Sequence, residues 1–71
     1  MSELNFTRDN LSAAFDHAIE LSKTMGETTT VHQASGSEEV LVSLGSVTAG
    51  TLTLPEGASV IATATSGGSL V

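Results

Sequence analysis

Histidine is the residue type suited to acid–base and metal chemistry near neutral pH, and the chain has two, His17 and His32. His17 follows Asp16 and stands three positions before Glu20. On a helix that spacing sets His17 and Glu20 side by side, a pair able to hold one metal ion. A closed site wants about four ligands, and no second His–carboxylate pair completes the set. Asp16 and His17 are adjacent, so on a helix they face different ways and Asp16 cannot orient the imidazole for a Ser–His–Asp relay. Serine is abundant, yet no Gly-x-Ser-x-Gly elbow occurs. Glu38 and Glu39 open a segment of strand character and so project to opposite faces, which defeats paired acid–base work. Ser35-Gly36-Ser37, Gly45-Ser46 and Gly67-Gly68 lack the Gly-Lys-Ser/Thr ending of a phosphate loop, and no Asp/Asn-rich calcium loop is present. These patterns set the expectation of a protein that is not an enzyme, with no catalytic residues, no metal site and no cofactor. His17 then reads as a solvated residue on the polar side of a helix, and His32 as a surface or interface position on a strand.

Composition narrows the partners. The chain has 71 residues and a formal net charge of −6, with Arg8 and Lys23 as its two basic residues and no Phe, Tyr or Trp after Phe15. Counterion release on a polyanion needs clustered Lys/Arg, and RNA-binding sheets need exposed aromatics, so neither nucleic acid nor an anionic membrane surface is an expected partner. No run approaches the 18 or so apolar residues of a membrane span, and Met-Ser-Glu-Leu-Asn-Phe lacks the basic-then-apolar plan of a secretory signal. The location expected on these grounds alone is cytoplasmic. Apolar residues make up 39% and no cysteine can staple the fold. A chain this small buries only about 60–65% of its unfolded surface, which favours oligomerisation or docking on a larger surface.

The elements follow from periodicity. Residues 1–71 read as a single domain, with an arm over 1–6, a helix within 7–26, strands within 28–65 and a flexible arm over 66–71. Leu11, Ala14, Phe15, Ala18, Ser22 and Met25 recur at three- and four-residue spacing, which predicts an amphipathic helix over Arg8–Met25. Thr7 is placed to cap its start, with Phe6 and Leu11 as a hydrophobic staple, and Gly26 to cap its end. Thr28–Ala34, Glu39–Leu44, Val47–Leu54 and Ser59–Thr65 read as four strands. The apolar phase slips across Ala49-Gly50, which predicts a bulge at Gly50. Leu54-Pro55-Glu56-Gly57 fits a type I turn. The expected fold class is α+β: one N-terminal amphipathic helix followed by a four-stranded, mainly antiparallel sheet or small barrel.

The remaining signal lies in apolar residues that do not fit one buried face. Leu41, Leu52, Leu54 and Ile61 fall out of phase with Val40, Val42, Val60, Ala62 and Ala64. Leu4 and Phe6 before the helix, and Leu70 and Val71 after Gly67-Gly68, read as apolar anchors on terminal arms that could add to a neighbour's sheet edge. The expected partner interface is therefore Leu4, Phe6, Leu52, Leu54, Ile61, Leu70 and Val71.

The stretch Gly45-Ser46-Val47-Thr48-Ala49-Gly50-Thr51-Leu52-Thr53-Leu54-Pro55-Glu56-Gly57-Ala58, in a short, acidic, Cys-free chain, resembles the small head decoration (cement) proteins of tailed bacteriophages. The likeness rests on size, composition and this Thr/Gly/Leu-rich style over about half the chain. It implies a structural protein of the virion, a homo-oligomer and often a trimer, seated on the outside of the capsid and bound to the major capsid protein. No residue role is carried over from it. The alternative is a small acidic binding or regulatory module with a soluble basic partner, which the charge favours.

Overall fold

A computed structural model describes the backbone of residues 4–71 and the side chains of residues 6–71. The element order is β1 (Leu4–Thr7), a 3-10 turn (Arg8–Asn10), α1 (Leu11–Met25), β2 (Thr29–Gln33), β3 (Glu39–Leu44) and β4 (Ser59–Ala64). The fold is α+β, with one helix against a four-stranded antiparallel sheet in the order β1-β3-β2-β4. The sheet is open, with β1 and β4 at its edges, and does not close into a barrel.

The helix ends as its sequence dictates. Gly26 adopts φ 70 and its N–H donates to the Ser22 carbonyl at 2.8 Å, a left-handed C-cap. The start differs from expectation. Thr7 does precede the first helical turn, but that turn is 3-10 and the Thr7 side chain makes no capping bond; Asn10, which precedes α1, makes none either. The reason is that Thr7 is still strand, paired opposite Glu39, and Arg8 N–H continues the ladder to the Glu38 carbonyl at 3.1 Å.

Strand order explains how both faces of the sheet are covered. β1 and β2 run parallel with β3 between them, so α1 is a crossover connection. β3 and β4 run parallel with β2 between them, so residues 45–58 form a second crossover. The two crossovers step the same way across the sheet from strands pointing in opposite directions. Crossovers of one hand must then lie on opposite faces. The contacts agree. Ser22 of α1 bonds Thr29 and Ala64 on one face, while Thr30, on the other face of β2, bonds the Gly45 carbonyl at 2.7 Å.

This topology corrects the expected third strand. Val47–Leu54 forms no strand: Gly50 N–H bonds Val47 C=O, Thr51 N–H and Leu52 N–H bond Ser46 C=O, and the stretch turns rather than extends. The fourth strand is instead β1, drawn from the end of the expected arm and from Thr7, the expected helix cap. The bulge also lies elsewhere. Val31 pairs with Ala62 and His32 with Val60, which leaves Ile61 without a partner on β2. Turn geometry shifts by one residue, since Ala58 N–H bonds Pro55 C=O and Gly57 takes φ 88 at the third position, the signature of a type II turn.

The core is small-grained. Among the described residues it comprises Ala14, Ala18, Val31, Val40, Val42 and Ala64, with Phe6, Leu11, Phe15, Ile19, Leu21 and Ile61 packed partly buried around it. Ala14, Ala18 and Ser22 recur every four residues on α1, so the helix can lie close on the sheet. Each fully buried Val contributes roughly 1.5–3 kcal/mol.

Candidate interaction surfaces

The two histidines lie apart and each has a local role. His17, half-buried on α1, has its ring 5.9 Å from that of Phe6 on β1, at an interplanar angle of 42°, so it is not simply solvated. His32 is 4% exposed and its Nε2 lies 3.0 Å from Ser43 Oγ on the neighbouring strand. It is therefore an interior position rather than a surface one. The sequence could not reveal this, because the 45–58 crossover lies over that face from a remote stretch of chain. Among the described residues, no group of three or more His, Cys, Asp or Glu side chains is placed to hold a metal ion.

Six of the seven residues expected at an interface separate into three groups, and the seventh, Leu4, is described by its backbone alone. Phe6 and Ile61 pack against the core and contribute to stability rather than to a free surface. Leu52 and Leu54 are half-buried within the crossover. Leu70 and Val71 are exposed, at 41% and 83%. Leu4 pairs its backbone with Val42, and its side chain lies outside the described residues. The arm over 66–71 is not a free arm. Leu70 bridges Ala64, and Val71 and Thr63 exchange hydrogen bonds of 2.8 and 3.4 Å, so the segment adds to its own β4 rather than to a neighbour's edge.

Further apolar exposure falls on Met25, Leu44 and Val47, none of which the sequence pattern marked as contacts. Met25 ends α1, Leu44 ends β3 opposite Thr29, and Val47 follows three residues after Leu44, so all three belong to the end of the sheet where β2 begins. A shallow cleft of about 260 Å³ opens at the same end, lined by Glu27, Thr28, Ser46 and Thr51 among others. At the opposite end a cleft of about 440 Å³ lies between the Ala34–Ser37 turn and Gly57, bordered by Gln33, Glu38 and Ser59. Its wall is braced locally. The Arg8 guanidinium donates to Gln33 Oε1, and Gln33 Nε2 donates to the Ser37 carbonyl at 2.6 Å. The lining is backbone, hydroxyl and amide with one carboxylate, that of Glu38.

No helix among the described residues is long and apolar enough to cross a membrane. No protein-family model matches the chain, and neither a curated protein nor a solved structure matches it.

Proposed function

We propose that this chain is a structural accessory protein, a small module that works by attaching to a larger protein assembly and to copies of itself rather than by catalysis. One observation carries the reading: the way apolar side chains are allotted. Among the described residues the largest apolar side chain that is fully buried is Val, whereas Met25, Leu44, Val47, Val60, Leu70 and Val71 stand exposed. A chain short of core that leaves Met and Leu on its surface gains from covering them with a partner. In its most specific form the reading is a decoration (cement) protein, as the sequence resemblance implies, held as a homo-oligomer, with a trimer favoured, on the outside of a phage head. Its partner is then the major capsid protein or a similar shell protein, and its location the virion.

The alternative is an acidic regulatory module for a soluble basic partner. It draws on the net charge of −6 and on exposed Asp9, Asp16, Glu20 and Glu27 along or beside α1. Co-sedimentation with phage heads stripped of decoration protein, at low and high salt, separates the two. Saturable, stoichiometric binding that persists at high salt supports the structural reading, because apolar contacts are not screened. Absence of binding to shells, or binding abolished by salt, turns the assignment to the acidic module.

A further inference from the structure

β4 is one edge of the sheet, and part of that edge is covered by the chain itself. Residues 69–71 fold back antiparallel on Thr63–Thr65. Thr65 N–H donates to Ser69 C=O at 2.8 Å, Val71 N–H to Thr63 C=O at 2.8 Å, and Thr63 N–H to Val71 C=O at 3.4 Å. Gly68, at φ 88, makes the reversal and its N–H bonds Thr65 C=O at 2.8 Å. Val71 is 83% exposed and Leu70 41%, and Gly68 lies against the Lys23 and Ile19 side chains of α1, so the last residue is held chiefly by its backbone hydrogen bonds. From Ser59 to Ala62, no strand lies beside the outer edge among the described residues.

We propose that residues 69–71 act as a displaceable guard on the β4 edge, and that the strand they hold off is β4 of a second copy of this chain. The edge already accepts a strand in the antiparallel sense, which is the sense a two-fold axis imposes on β4 against β4. Charge selects the occupant. Two copies of net charge −6 repel, but no charged side chain occurs from Gly57 to Val71, so this edge brings no like charges face to face. The opposite edge differs: Thr7 of β1 pairs with Glu39, and Arg8 and Asp9 follow. Ser59-Val60-Ile61-Ala62-Thr63-Ala64 is uncharged, free of Pro and rich in β-branched residues, a composition that pairs edge to edge unless blocked. A covering segment and a bulge are two devices that block such edges, and β4 carries both. The inference holds whether or not the chain binds a shell.

Val71→Pro tests it at an exposed position, because proline cannot donate the hydrogen bond to Thr63. Deletion of residues 67–71 removes the guard altogether. Sedimentation equilibrium over a concentration series should show both variants self-associating roughly tenfold more tightly than the intact chain. Adding Val60→Glu, which puts a like charge at an exposed β4 position, should return Val71→Pro to the parental behaviour. Variants that associate no more tightly than the intact chain overturn the proposal. So does weaker association, the outcome if the segment were exchanged between copies, or a gain that survives Val60→Glu.

Discussion

The Ser22 hydroxyl of α1 lies 2.7 Å from the Thr29 hydroxyl of β2, fully buried, and 3.0 Å from the Ala64 carbonyl of β4. A hydroxyl has one proton and a carbonyl none, so Ser22 gives its proton to Ala64 and accepts that of Thr29. One short side chain thus ties the helix to two strands at the point where an apolar residue would leave Thr29 unsatisfied. Among the described residues no buried side-chain polar atom lacks a partner.

Ser22→Ala should destabilise by about 1–3 kcal/mol, because it strands the buried Thr29 hydroxyl. Ser22→Ala with Thr29→Val should cost less than the two single changes added together, since the pair shares one interaction. Urea melts of the four proteins measure this coupling. Strict additivity would show that the hydroxyl pair is not a unit.

Ala18 has no exposed surface and faces the sheet. Ala18→Leu should destabilise by about 1–3 kcal/mol, because a helix seated on Ala14, Ala18 and Ser22 has no room for a larger side chain. A neutral result would mean that the helix sits further from the sheet.

Thr7→Ala should change stability by less than about 0.5 kcal/mol, as Thr7 is exposed and its side chain caps nothing. The cost of about 1 kcal/mol expected for a true N-cap would place the helix start at Thr7 after all.

The crossover has its own anchor points. A Cβ on Gly45, at φ 107, would lie 2.9 Å from the Thr51 carbonyl oxygen, whereas one on Gly50, at φ 78, would meet nothing within 4 Å. Gly50→Ala should cost about 1–2 kcal/mol of backbone strain alone. Gly45→Ala should cost clearly more, and hydrogen exchange should rise across residues 45–58. Equal effects would show that the crossover does not pack on Gly45.

The sequence by itself determined the elements whose signal is local. The spacing of Ala14, Ala18 and Ser22 and the cap at Gly26 gave the helix, because a 3.6-residue period and a left-handed glycine depend only on near neighbours. Alternation placed β3 at Glu39–Leu44, within β-branched surroundings that also marked β2 and β4. Tertiary structure decided what lies far apart in the chain. Leu4–Thr7 is a strand because β3 offers it an edge, a partner more than thirty residues away. Val47–Leu54 has strand composition but lies in a crossover that must travel back along the sheet from β3 to β4, and a connection above one face has no ladder to join. His32 is buried on the face that this crossover occupies, and the 69–71 segment returns to β4. Strand propensity describes a willingness to pair; which strands find a partner is settled by topology.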